Sequence, residues 1–142
     1  MIRKPVVAGS FYPDNPDELE QRIQNCFTHR FGPNSNPPKQ SIERIFGVIC
    51  PHAGYMYSGP IASHSYYEIS SQEFDLAIII GPNHLAIGSK IATMSDAKWQ
   101  TPLGISEVDS ESSNELLTIA DNIEQDYFSH SKDHSLEVQI PF

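Results

Sequence analysis

Two histidines carry the clearest chemical signal in this chain, because each follows a short apolar run. His52 lies in Cys50-Pro51-His52-Ala53-Gly54-Tyr55-Met56-Tyr57-Ser58-Gly59-Pro60, directly after the run Ile45 to Cys50. His84 closes Gly81-Pro82-Asn83-His84, directly after Leu76 to Ile80. Neutral imidazole is the commonest metal-ligand side chain, and two of them with a carboxylate and open positions suit non-haem iron. A strand-end histidine can also be plain hydrogen-bonded scaffolding; two at equivalent places argue for a shared metal or polar ligand. Around them, Gly54, Tyr55, Tyr57, Ser58 and Asn83 are candidate ligand-binding residues. The glycines let backbone approach a ligand closely, and a helix starting nearby offers free N–H groups to an anion.

A third cluster, His130-Ser131-Lys132-Asp133-His134-Ser135-Leu136-Glu137, offers an acid/base pair. Here Asp133 or Glu137 would orient an imidazole, which fixes a histidine tautomer. His134 and Asp133 are the candidate catalytic residues; the bland alternative is a polar turn leading into a buried element. His64 reads as a packing or surface residue, His29 as exposed and Cys50 as a small buried thiol. Trp99, Tyr66 and Tyr67 read as core or rim.

The elements that must position these groups read as α/β. Both apolar runs are short and rich in β-branched residues, which predicts two buried strands. Between them, Pro60 to Ile69 reads as a helix capped by Ser58 or Gly59. Strand, helix, strand forms a βαβ unit with parallel neighbouring strands, bringing both histidines to one rim where α/β sheets bind ligands. Upstream, Asn15 caps a first helix, Pro16 suits its first position, and Leu19, Ile23, Cys26 and Phe27 form its buried stripe. Gly32 to Pro38 is an exposed loop. Lys90 to Met94 and Ile105 to Val108 are weaker strands around Thr101-Pro102-Leu103-Gly104. A last helix starts near Ser112, with Leu116, Ala120 and Ile123 as its inner face. The segment Leu136 to Phe142 is apolar enough to be buried.

A length of 142 residues suggests one domain, and 39% hydrophobic residues suffice for a core. Nine basic against eighteen acidic residues give a net charge of −9, which disfavours phosphate backbones and anionic membranes as partners. No apolar run reaches the roughly 18 residues of a membrane span. The start Met1-Ile2-Arg3-Lys4-Pro5 lacks a signal-peptide pattern, and with two cysteines the expectation is a reduced, cytoplasmic protein.

Five motifs occur in order: Ala8 to Pro13, Pro51 to Gly59, Gly81-Pro82-Asn83-His84, Thr101-Pro102-Leu103-Gly104 and His134 to Phe142. Together they resemble the MEMO family, also called the AmmeMemoRadiSam system protein B family, over its N-terminal half or so. Asp133 stands where the family usually has Glu, and Asn83 where Ser is frequent. The resemblance implies a fold similar to class III extradiol dioxygenases (LigB-like). That is a three-layer αβα sandwich with a mixed, largely parallel central sheet, apparently truncated, so that residues 1–142 form one MEMO-like α/β domain. It implies His52 and His84 as metal ligands, His134 in the pocket wall, and iron or copper as cofactor, with a third ligand from the family's other half. Redox or dioxygenase-like chemistry, phosphotyrosine-type peptide binding, and a pathway shared with AMMECR-like and radical-SAM proteins are also implied, although fold analogy does not transfer activity. The alternatives are a non-catalytic module for phosphorylated or carboxylate ligands, and an inactive or scaffold fragment needing a partner chain. Uncovered sheet edges predict self-association.

Overall fold

The computed structural model describes residues 1–39 and 44–142. Helix α1, Pro16–Thr28, begins as its sequence predicts: the Asn15 side chain accepts from the Glu18 N–H at 3.1 Å, and Pro16 occupies the first turn. Leu19, Cys26 and Phe27 are buried on its inner face. Helix α2, Tyr55–Ile69, starts earlier than the expected Pro60, with Gly54 at the cap position. Tertiary anchoring explains the shift. Tyr55 donates its N–H to Phe11 O at 2.8 Å and its hydroxyl to Val138 O at 2.7 Å, which fixes the first turn ahead of the proline. Ser58, expected as a cap, instead donates to Ala53 O at 3.1 Å. The two helices pack closely: a Cβ at Gly59 would sit 2.6 Å from Cys26 Sγ, and Ser63 Oγ donates to Cys26 O at 3.0 Å. No described helix is long and apolar enough to cross a membrane.

The chain has an α/β fold with a mixed sheet. Strand β1, Ile2–Arg3, runs parallel to β3, Lys98–Thr101, and places Arg3 opposite Trp99. Strand β3 forms an antiparallel hairpin with β4, Gly104–Glu107, giving the order β1-β3-β4. A smaller parallel pair joins β2, Ala92–Thr93, to β5, Glu124–Gln125. Helix α3, Ser110–Ile119, takes Asp109 as its cap, with Ser112 N–H donating at 2.8 Å. The expected inner face of Leu116, Ala120 and Ile123 is not buried; α3 has no buried residue, because no described element lies over that stripe. Helix α4, Tyr127–His130, and a 3₁₀ turn, Glu137–Gln139, complete the fold.

Two cores result. One gathers Tyr12, Leu19, Tyr55 and Val138; the other gathers Met94, Ala97 and Trp99. The segment Leu136 to Phe142 docks as expected and links them, since Val138 and Phe142 pack in the first while Leu136 and Ile140 pack against the second.

The runs Ile45 to Cys50 and Leu76 to Ile80, read as buried strands, join no ladder among the described residues. Phe46, Ile49, Ile78 and Ile80 are each at least 79% exposed. A β-branched run becomes a buried strand only when strands flank it and layers cover both faces. The bonds that reach these runs here come from side chains: Gln72 accepts from Ile45 N–H at 3.0 Å, and Ser65 Oγ donates to Ile49 O at 3.0 Å.

Candidate metal centre

The site begins with the turn after α4, whose conformation is set by a buried ion pair. Arg3 and Glu137 are 1% and 0% exposed and bonded to each other. Glu137 also accepts from the Tyr12 hydroxyl at 2.6 Å and from the Val6 and Val7 N–H groups. Burial pushes its carboxyl up, but these hydrogen bonds outweigh that effect and hold it below the ordinary value. Glu137, one of two candidates to orient an imidazole, therefore serves the N-terminal segment instead.

Asp133 takes the orienting position. Its Oδ2 accepts from both the backbone N–H and Nδ1 of His84, each at 2.9 Å, while Oδ1 accepts from Ser135 N–H at 2.7 Å and Ser135 Oγ at 2.6 Å. Although burial raises its pKa, those four bonds prevail and keep Asp133 ionised well below the usual carboxylate range. With a carboxylate on Nδ1, His84 is the Nδ1–H tautomer, and its Nε2 lone pair is left for a ligand. Gly81 permits this approach: a Cβ there would collide with Ser135 Oγ.

Three imidazoles converge beside that carboxylate. The rings of His84 and His134 stack with centroids 4.6 Å apart and 17° between planes. His52 lies 5.1 Å from His84 and 6.0 Å from His134. His84, Asp133 and His134 each offer a ligand atom within 4.8 Å of the others, so they form a group able to hold a metal ion; His52 is not a member of that tight set. Burial and the neighbouring His84 lower the pKa of His134, which favours the neutral ring that binds metals. Phe11, 4.7 Å from the His134 ring, forms the apolar wall. The rings open into a cavity of about 590 Å³ that Tyr57 and Gly54 also line.

The other sequence candidates divide. Tyr57 is exposed at the cavity rim, and Gly54 packs its backbone on Phe11. Tyr55, by contrast, is core, and Asn83 spends its amide N–H groups on Ile87 O at 2.8 Å and Ser89 O at 3.5 Å, shaping its own loop. His64 lies away from the centre, with Nε2 3.1 Å from Phe31 O, and His29 is exposed. Sequence reasoning missed Arg3 and Phe11. Arg3 gives no local signal, since its partner Glu137 is 134 positions away.

The family model described as Memo-like protein matches residues 3–142. A MEMO1 family protein of Nitrosopumilus maritimus is 57% identical over 141 residues, covering 99% of this chain and 50% of that protein. One from Methanocaldococcus jannaschii is 47% identical over 145 residues, covering 99% and 50%. One from Sulfolobus acidocaldarius is 47% identical over 149 residues, covering 100% and 52%. The chain thus spans about half the length of the curated relatives it matches. With a match over nearly its whole length, the chain belongs to the Memo-like protein family.

Proposed function

We propose that this chain supplies a histidine-rich metal centre in which His52, His84 and His134 are ligands and Asp133 orients His84. One observation carries the reading: three rings meet at one cavity while both Asp133 oxygens are already committed to His84 and Ser135. The donor set fits a metal, because imidazole suits iron, copper, zinc and nickel, and the open cavity leaves room for further ligands. Iron or copper is the metal proposed, and when bound it would supply one-electron redox chemistry and a fixed point for substrate. The chain's own residues do the rest. Asp133 sets the His84 tautomer, Phe11 keeps water from one face of His134, and Tyr57 lines the rim where a substrate would enter.

The anion-binding alternative is less well supported. The first N–H of α2 is already donated to Phe11 O, and Gly54, Tyr57 and Ser58 bond among themselves at that turn. Metal content after purification without chelators tests the proposal. Iron or copper near one equivalent is expected in the parent chain, against almost none in the His52→Ala, His84→Ala double variant. Equal metal in both proteins would sink the reading.

A further inference from the structure

We propose that Arg3 is a positioning residue for the metal centre, its buried guanidinium holding the turn that aims Asp133 and His134 at His84. The inference rests on the metal reading above and adds to it a residue whose hydrogen bonds go to backbone carbonyls and Glu137 and not to the three rings.

The guanidinium makes hydrogen bonds in three directions. Nε donates to His130 O at 3.1 Å, a terminal nitrogen donates to Asp133 O at 2.5 Å, and the other reaches Glu137 and Lys4 O. His130 O and Asp133 O bracket the Ser131-Lys132 tip, so one planar group pins both ends of the turn that delivers Asp133 and His134. The plane itself is held against Trp99, whose ring centroid lies 4.4 Å from the guanidinium carbon. Trp99 is fixed in turn by the β1–β3 pairing that sets Arg3 opposite it. A rigid frame thus runs from the sheet through Arg3 to the carboxylate on His84 Nδ1.

Stability alone accounts poorly for this arrangement. Desolvating an ion pair is costly, and well-packed apolar residues of similar volume often serve a core as well or better. Only a fork-shaped donor reaches three carbonyls and a carboxylate at once; a lysine, as a point charge on a flexible stem, cannot reproduce it. Partners that orient metal-binding side chains typically change metal affinity 10–100-fold when removed.

Arg3→Lys tests the idea by two readouts, each compared with the parent chain and with Leu19→Ala, a cavity variant in the other core. The first is cobalt(II) affinity from its visible absorption. The second is the imidazole ¹⁵N spectrum of the metal-free protein, which reports the His84 tautomer. Arg3→Lys is expected to keep its helical circular dichroism, bind cobalt about 10–100-fold more weakly, and show a mixture of His84 tautomers where the parent shows Nδ1–H alone. Leu19→Ala should lower the melting temperature but leave both readouts at parent values. Parent-like affinity and tautomer in Arg3→Lys would overturn the proposal, as would equal losses in Leu19→Ala. If the parent chain binds no cobalt, the metal reading fails by itself and the tautomer still decides the role of Arg3. Should Arg3→Lys not fold, Glu137→Gln loosens the guanidinium's anchor at nearly constant size, and the same tautomer mixture is expected; an unmixed Nδ1–H signal would count against the inference.

Discussion

Replacing Glu137 with alanine should destabilise this chain by about 3–5 kcal/mol, since breaking a buried pair leaves an uncompensated charge behind. Native domains hold only about 5–15 kcal/mol in all, so a large share of the folded state depends on this carboxylate. The structure gives the reason for so large an effect. Glu137 is fully buried, and its loss would strand the Arg3 guanidinium, the Tyr12 hydroxyl and two backbone N–H groups together. Thermal denaturation should show a fall of about 10 °C or more in the midpoint. The Arg3→Met, Glu137→Leu double variant should be less destabilised than either single change, because no buried charge remains. The same group makes folding acid-sensitive. Its folded pKa lies below the ordinary 4.5, so its stabilising contribution is present above that value and is lost as the pH falls through the folded pKa. A single variant within about 1 kcal/mol of the parent, or a stability that rises on acidification below pH 4.5, would contradict this account.

Asp133→Asn should weaken metal binding about 10–100-fold without unfolding the protein. An asparagine is the same size but carries a donor where one oxygen was an acceptor. Both Asp133 oxygens face a backbone N–H, of His84 on one side and Ser135 on the other, so the new amide nitrogen meets a donor whichever way it turns. If the NH₂ faces His84, its ring must present a bare Nδ1 and carry its proton on Nε2, the atom needed for coordination. If it faces Ser135, the hydrogen bonds that lock the turn are broken. Isothermal titration with zinc or cobalt would measure the loss. Unchanged affinity would remove Asp133 from the site, whereas a loss confined to thermal stability would make it a structural cap.

How much of this was legible in the residues depended on the range of the forces involved. The α1 cap could be read from Asn15, Pro16 and Glu18, because its hydrogen bond spans three residues. The meeting of His52 and His84 was also legible, since both sit at the end of an apolar run and a single helix separates them. Asp133 and Glu137 looked equivalent, and only tertiary contacts distinguish them: Glu137 turns toward residues 3 to 12, Asp133 toward residue 84. Arg3 was invisible for the same reason. The start of α2 was misread because Phe11 and Val138, distant in sequence, hold Tyr55 in the first turn. A hydrophobic run records that its side chains favour burial, not which element covers them. Ile45 to Cys50 and Leu76 to Ile80 therefore read as strands, although among the described residues they join no ladder and remain largely exposed.

We propose that those uncovered runs make the solution behaviour of the chain a matter of ionic strength. Leu76-Ala77-Ile78-Ile79-Ile80 is β-branched, uncharged and free of proline, with Asp75 and Pro82 as its only gatekeepers. At low salt, a net charge of −9 keeps copies apart by long-range repulsion. Near physiological salt, screening shortens that repulsion to about 8 Å, and the aliphatic surfaces can then meet. We expect copies of this chain to be dispersed in dilute buffer and to cluster as counter-ions are added, carrying His52 and His84, which sit at the ends of those same runs, into the contact.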